Sequence, residues 1–461
     1  VDPDLRSIAE ARAACLRARE AFERFRGTPP RDVDRIVEAM AQAAARQALP
    51  LAELAVEETA CGNVEDKRRK NLFNSLGIAA WLRNVRTLGV LWKDERTKMV
   101  ALGEPMGVIA ALVPVTNPTS TIMFKVLSAV KAGNAIVCAP HPRGVRSGMA
   151  TTRVMAEAAE AEGAPPGLIQ CLEEVSIEGT GELMRHRATS LVLATGGSAM
   201  VRAAYSSGKP TLAVGPGNVP VYVDETKRHE LDEVAAGIIA SKAFDYGTAC
   251  VAEQAVVAPR SIAERLREAM RRAGAYFCTG READALARVI FGERLRLVPQ
   301  NVGQSAAHLA DLAGFAVPPR TRVLVAEARQ VGRDVPLSAE KLNPVLVFYE
   351  VADAAEGYRR CEEVLRFGGL GHTAAVHSDD PEVTARFSTL PVGRILVNTP
   401  CAFGGMGFST DLEPSFMLGT GTWAGSITSD NVTALHLINV KRVAGGYRSW
   451  RDLYREEGVA F

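Results

Sequence analysis

The chain has no Cys-x-x-Cys pair: its eight cysteines, Cys15, Cys61, Cys138, Cys171, Cys250, Cys278, Cys361 and Cys401, lie far apart. That spacing argues against a zinc knuckle or a disulfide framework, so no metal site is expected. It points to a reducing compartment, with the cytoplasm as the expected address. No apolar run approaches the length of a membrane span and no charged-then-apolar leader opens the chain, so no membrane partner is expected. The first residue is Val1 and not Met, which leaves a preceding targeting extension open. Excess charge is missing as well. Lys and Arg total 54 against 53 Asp and Glu, a net charge of +1 spread along the sequence, which excludes the basic footprint of a nucleic-acid binder. Internal repeats and low-complexity tracts are absent. What remains is an ordinary globular composition, 47% hydrophobic and 23% charged, over 461 residues, enough for two or three domains with large cores.

The first hundred residues read mostly as helix. Asp4 to Arg26 is rich in Ala, Arg and Glu and breaks at Pro29-Pro30. Asp32 can cap a second helix to about Gln47, Pro50 opens a third that Gly62 can close in the left-handed region, and Val64 to Arg83 reads as a fourth. Residues 86–103 mix apolar residues with charges, as a protruding hairpin does. From Gly107 onward, short apolar runs such as GVIAALVP, NAIVCAP and LVLAT alternate with helical stretches, the signature of a parallel sheet covered on both faces. A second set begins near Val219 with VPVYVD and ends with GRILVNT. The residues therefore predict an α/β fold: a first unit over 1–218, a second over 219–415, and a tail over 416–461 that returns to the first unit or reaches a neighbouring subunit. A cleft between two such units is a usual home for a cofactor and its chemistry.

Cys250 lies just inside the second unit, in FDYGTACVAE (Phe244 to Glu253), between a helical segment and a β-rich run. Gly247, Thr248 and Ala249 leave backbone amides accessible, so a thiol here can attack an electrophile while amides stabilise the oxyanion. A plain buried cysteine is the competing reading. Leu191 to Ala204 reads as a strand, a glycine pair and a helix start, with Ser198 as N-cap and free N–H groups for a phosphate. It is not Gly-x-Gly-x-x-Gly, and an ordinary strand-to-helix turn competes. Asn117, between a strand and Pro118, stands at the carboxyl edge of the first sheet, where α/β proteins bind ligands. Its amide can donate to an oxyanion, or serve as a routine turn residue before proline. Taken alone, Glu340 reads as a solvated carboxylate before a strand, and His372, on a Gly-rich bend, as a structural histidine.

In this order, EPMGVIAALVPVTNPTSTIMFK, CAPHPRG, LATGGSAMVRAAYSSGKP, VGPGNVPV, the stretch around Cys250, EKLNPVL, GGLGHT and INVKRV resemble the aldehyde dehydrogenase superfamily. The resemblance runs from about Ala9 to Ala444 and is to the CoA-acylating branch, most nearly the aldehyde dehydrogenase half of bifunctional aldehyde–alcohol dehydrogenases. The chain stops at 461 without an alcohol dehydrogenase half, so the resemblance implies a stand-alone dehydrogenase. It also implies a Rossmann-like cofactor domain, a second α/β catalytic domain and a small oligomerisation element of a homodimer or higher homo-oligomer. Cys250 falls on the nucleophile, Asn117 with the Cys250 amide on the oxyanion hole, and His372 on a proton-transfer position. Thr195, Gly196, Gly197 and Ser198 fall beside the cofactor pyrophosphate, Pro140, His141 and Pro142 beside the adenosine, and Glu340 on the nicotinamide ribose. Thr116 and Gly215 complete the expected cofactor site.

Hydrolytic members of the superfamily resemble LELGGK at a position where their glutamate activates water. This chain has LAVGPG, with Ala213 there. Water, with a pKa of about 15.7, is a poor nucleophile without a base, whereas a thiol of pKa about 8.5 is already partly ionised at neutral pH. A thioester on Cys250 is thus expected to wait for CoA, with Glu253 as the competing base for water. The expected reaction joins an aldehyde, NAD and CoA to give acyl-CoA and NADH, reversibly. A short acetaldehyde-like substrate is the default. Succinate semialdehyde and sulfoacetaldehyde stay open, because Thr399 to Phe416 departs from the relatives at Cys401 to Phe403 and Asp411 to Glu413, and Tyr246 stands where they mostly carry Asn. Arg143, near the adenosine position, leaves NADP open. The alternatives are a hydrolytic dehydrogenase and a scaffold with a degenerate site; residence in a bacterial microcompartment is a further open expectation.

Overall fold

The computed structural model describes residues 2–454. Helices Pro3–Phe25, Pro30–Arg46 and Ala48–Thr59 are followed by a rod from Val64 to Leu82 that widens into a π turn over Phe73–Gly77. Three helix boundaries differ from the sequence expectation. The second helix starts at Pro30 with Pro29 as its cap, so Asp32 sits in the first turn; proline's fixed φ suits that first position, where its missing N–H would be unbonded anyway. The third helix starts at Ala48, ahead of Pro50, and closes on Ala60 (φ 55°) instead of Gly62. Gly62 is required for a different reason: a Cβ there would stand 1.8 Å from Asp245 Oδ1.

Strands β1 (Gly89–Asp94) and β2 (Met99–Pro105) form an antiparallel hairpin that runs two residues past the expected 86–103. Strands β3 (Val108–Val113), β4 (Ala135–Pro140), β5 (Ile169–Cys171), β6 (Thr189–Thr195) and β7 (Thr211–Val214) build a parallel sheet in the order β5-β4-β3-β6-β7. β3 and β4 are buried at every residue, which is why they read as unbroken apolar runs and not as alternating ones. Helix Pro118–Lys131, also buried throughout, packs on this sheet. The order is Rossmann-like: the chain starts in the middle with β3, winds outward to β5, then returns to the other side of β3 with β6. Such a reversal opens a crevice between β3 and β6 at their carboxyl ends.

A second parallel sheet holds β8 (Val219–Val223), β9 (Glu253–Pro259), β10 (Ala275–Phe277), β11 (Val323–Glu327), β12 (Val345–Val351), β13 (Gly371–His377) and β14 (Val392–Val397). Their order is β10-β11-β12-β9-β8-β13-β14, with apolar cores on both faces. β10 is absent from the sequence expectation, since three residues are too few for a period to show. β15 (Ile438–Ala444) pairs with β2 along its length, so the tail returns to the hairpin; the tail's residues 455–461 lie outside the described residues. No helix among the described residues is long and apolar enough to cross a membrane.

Candidate active site

The carboxyl ends of β3, β4 and β6 and the segments that precede β8, β9 and β12 line a cleft of about 510 Å³. Thr116, Asn117, Pro140, His141, Pro142, Thr195, Gly196, Gly197, Gly215, Cys250 and Glu340 all line it. Of the residues expected at the site, His372 lies immediately behind Cys250 and Ser198 is exposed outside the lining.

Cys250 is delivered by a contorted turn. Helix Leu231–Ala243 stops, and Asp245 (φ 49°) and Tyr246 (φ 52°) both take the left-handed backbone conformation, which costs on the order of 1–2 kcal/mol for a residue with a Cβ. The Asp245 side chain pins it. Its Oδ1 accepts from Asn63 N–H (2.9 Å), and its Oδ2 from Lys67 Nζ (3.0 Å), Lys70 Nζ (2.7 Å) and Thr248 Oγ1 (2.8 Å). Its own N–H donates to Asp66 (2.9 Å).

His372 Nε2 lies 3.2 Å from Cys250 Sγ, and its Nδ1 lies 3.0 Å from Thr373 Oγ1. Arg394 Nη1 donates to that same hydroxyl oxygen (3.2 Å) and to the His372 carbonyl (2.9 Å). Complete burial, aided by Arg394, lowers the imidazole to about 3. Burial, with the Glu340 charge behind it, raises the Cys250 thiol to about 12. The resting pair is therefore a neutral thiol against a neutral imidazole, not a thiolate–imidazolium pair. Gly217 makes this packing possible, since a Cβ would meet Cys250 O at 2.5 Å and the His372 ring at 2.8 Å. Its N–H donates to Glu340 Oε1 (3.0 Å). Burial lifts Glu340 to about 7 against the opposing effects of that bond, Lys242 and Lys341, so this carboxylate belongs to the cleft and is not the solvated charge its local sequence suggests.

Asn117 precedes helix Pro118–Lys131 without making a capping bond. Its Oδ1 accepts from Lys70 Nζ (2.8 Å), which fixes the amide orientation because lysine can only donate. Nδ2 is left with Thr116 Oγ1 (3.2 Å) and a longer contact to Thr248 O (3.3 Å). Lys67, Lys70 and Asp245 are functional-site neighbours that sequence reasoning missed. Their one signal is the Lys-x-x-Lys spacing, which puts both lysines on one helix face and says nothing of what covers it.

The residues fit a dinucleotide. Thr195 Oγ1, at the end of β6, is buried without a partner. The helix Ser198–Tyr205 starts beside it with Gly197 in the cap position and no side-chain capping bond, so its first N–H groups are open to phosphate oxygens. This corrects the N-cap expectation: Ser198 is the first helical residue, and a Cβ at Gly197 would meet nothing, leaving the approach clear. Arg143 spends its guanidinium on Thr59 O (2.8 Å) and Pro299 O (3.3 Å) and does not line the cleft. Ala213 lies buried on β7. Glu253 is sealed, one oxygen accepting from Ser241 Oγ (2.6 Å) and the other from Cys401 N–H (2.7 Å).

Residues 5–289 match the model of the aldehyde dehydrogenase family. A bifunctional aldehyde–alcohol dehydrogenase of Escherichia coli is 40% identical over 444 residues, covering 95% of this chain, which spans only 50% of that relative's length. A solved acetylating aldehyde dehydrogenase from Geobacillus thermoglucosidasius is 43% identical with a TM-score of 0.95, over 97% of this chain and 99% of that one. A propionaldehyde dehydrogenase of Rhodopseudomonas palustris, solved with CoA bound and a cysteine acylated, is 27% identical with a TM-score of 0.85, over 94% of this chain and 97% of that one. The chain belongs to the aldehyde dehydrogenase family.

Proposed function

We propose that the chain is a CoA-acylating aldehyde dehydrogenase, which converts a short uncharged aldehyde to a Cys250 thioester with NAD and passes the acyl group to CoA, reversibly. The carrying observation is the Cys250–His372 pair in a cleft where position 213 offers no carboxylate and Glu253 is buried with each oxygen accepting a hydrogen bond. As sulfur adds to the carbonyl carbon, His372 Nε2 takes the thiol proton, and the carbonyl electron pair moves to oxygen. Asn117 Nδ2 and the Cys250 N–H would donate to that oxyanion. Thr195, Gly196, Gly197 and Glu340 would hold NAD, which would accept the hydride lost from carbon as the oxyanion collapses to the thioester, and His372 would release its proton to solvent. The CoA thiol then attacks the thioester carbon, the bond to Cys250 breaks, and the sulfur recovers a proton. Thiolysis is favoured over hydrolysis because a thiol is easier to deprotonate than water by about seven pKa units. The acylated cysteine with CoA in the Rhodopseudomonas relative supports the same order of events.

The lining favours an uncharged substrate. Val251, Met406, Phe416 and Leu418 stand near Cys250, and no Lys or Arg lines the cleft among the described residues. A carboxylate or sulfonate tail would be desolvated without a counter-charge, at a cost of several kcal/mol, so succinate semialdehyde and sulfoacetaldehyde are disfavoured. Eight free cysteines support a reducing, cytoplasmic setting. The edge position of β15, with Val440 and Val443 exposed, supports the expected homo-oligomer.

Rapid mixing of enzyme, aldehyde and NAD without CoA tests the reading. The expected trace is a burst of about one NADH per site, then a stall that CoA relieves. Sustained turnover to free acid would mean that another base activates water, and the acylating assignment would fall.

A further inference from the structure

Beneath the Cys250 turn lies a buried charge cluster that no step above uses. Lys67, Lys70 and Asp245 are 2%, 2% and 0% exposed. Lysine is almost never so buried unless paired, and a buried pair is weak support for stability, because apolar residues of the same volume often serve as well. The partners decide what this cluster does. Lys67 reaches Asp245 Oδ2 (3.0 Å) and Thr116 O (2.7 Å). Lys70 spends its three N–H groups on Asp245 Oδ2 (2.7 Å), Thr248 Oγ1 (2.9 Å) and Asn117 Oδ1 (2.8 Å). Every acceptor of Lys70 therefore belongs either to the turn that carries Cys250 or to the oxyanion donor itself. Lys67 and Lys70 face Asp245 behind the Cys250 turn, with the Asp66 carboxylate against the Asp245 N–H.

We propose that Lys70 is a positioning residue for the oxyanion hole: its ammonium locks the Asn117 amide with Nδ2 toward the cleft and polarises it into a stronger donor. The inference rests on the aldehyde chemistry proposed for Cys250. The 3.3 Å contact from Nδ2 to Thr248 O is long enough to be exchanged for a substrate oxygen. An amide whose oxygen accepts from a cation gives up more positive charge at its N–H, and in a dry site that polarisation is screened little. Burial lowers the Lys70 ammonium from its usual value, while Asp245 and Asp66 work to keep it charged and Lys67 works against it. Cys250 is faced by Lys70 from the rod, Glu340 from the loop before β12, His372 from β13 and Arg394 from β14; Lys70 and Arg394 favour a thiolate and Glu340 opposes it.

Lys70→Met keeps an unbranched side chain one atom shorter and removes its charge. Two readouts apply to the full chain: the pH dependence of Cys250 alkylation by iodoacetamide, followed by peptide mass, and kcat for aldehyde oxidation. In folded Lys70→Met, the alkylation profile should move to higher pH and kcat should fall about tenfold, with the NAD dissociation constant changed less than about twofold. Combined with Asn117→Ala, which by itself should cost about a hundredfold, Lys70→Met should cost little more, because the lysine acts through that amide. An unmoved alkylation profile, or losses that multiply in the double variant, would overturn the proposal. If Lys70→Met does not fold, Lys70→Gln, which keeps a donor and drops the charge, is read by the same criteria. Alkylation needs neither aldehyde nor CoA, so its shift decides the electrostatic claim even if the wild-type chain turns over no aldehyde.

Discussion

Glu340 stands in the cleft with Cys250, accepts from Gly217 N–H at 3.0 Å, and is held by burial at about 7. Two reactions read that one charge, and Glu340→Gln should push them in opposite directions. The proposed hold of Glu340 on the nicotinamide ribose uses the carboxylate as an acceptor. A group at about 7 is roughly one-tenth ionised at about pH 6 and nine-tenths at about pH 8, so the apparent NAD KM of the wild-type enzyme should rise about tenfold on acidification across that range. In Glu340→Gln it should be high at both ends and nearly flat. Alkylation of Cys250 should respond the other way, because the Glu340 charge is part of what raises the thiol. The variant should therefore react faster than wild type with iodoacetamide at about pH 8 and show little advantage at about pH 6, where the wild-type carboxyl is already mostly protonated.

The same group carries a stability sign. Because the folded carboxyl sits above its ordinary value of 4.5, its protonated form favours the fold. That contribution is fully present below about 4.5 and is lost as pH rises through about 7, leaving the carboxylate a cost of up to about 3 kcal/mol by about pH 8. Urea unfolding should accordingly show Glu340→Gln more stable than wild type at about pH 8 and indistinguishable from it at about pH 4. Initial rates, alkylation rates and unfolding midpoints over one pH series are the assay. A variant that alkylates more slowly at high pH, or that keeps the wild-type pH dependence of KM, would refute the placement of this charge between cofactor and thiol.

Cys250→Ala should abolish acyl-CoA formation while the NAD dissociation constant, measured by fluorescence, stays within about twofold, since the cofactor contacts come from other segments. Gly62→Ala sets a Cβ 1.8 Å from Asp245 Oδ1 on a backbone at φ 75°, so the chain should lose about 3 kcal/mol or more in denaturant unfolding; a loss below about 1 kcal/mol would mean that the Asp245 turn moves freely. Tyr246 occupies a left-handed position (φ 52°) that asparagine tolerates better, so Tyr246→Asn should raise stability by about 0.5–1 kcal/mol, and an unchanged or lower melting temperature would show that the ring packs well enough to offset the strain.

How much of this was legible in the sequence depends on whether the determining interaction is local. β3 and β4 were visible because strands buried on both faces are apolar at every position, and β9 and β12 because apolar residues dominate them. Cys250, Asn117 and the glycine pair after β6 were visible because they stand where a strand or helix ends. Helix starts were misjudged at Asp32 and Ser198 because a capping residue is defined by one backbone angle, and Pro29 and Gly197 held that position without offering a side chain. The pairing of His372 with Cys250 spans 122 residues, so the Gly-rich bend at His372 carried no trace of it; only the family resemblance assigned a role there.

The buried cluster fails for a deeper reason. In VEDKRRKNL the charges at Val64–Leu72 are assigned to solvent because desolvating an ammonium costs more than almost any local preference can return. Lys67 and Lys70 break that rule through a carboxylate 178 and 175 residues away, on a turn whose backbone is itself unfavourable. Neither segment is stable in that form without the other: the turn supplies the anion that makes the lysines tolerable inside, and the lysines supply the bonds that hold the turn. Two locally unfavourable segments that each complete the other are what a sequence pattern cannot anticipate. Under the role proposed for Lys70, the pair is kept because its geometry serves the group at Asn117 and Cys250.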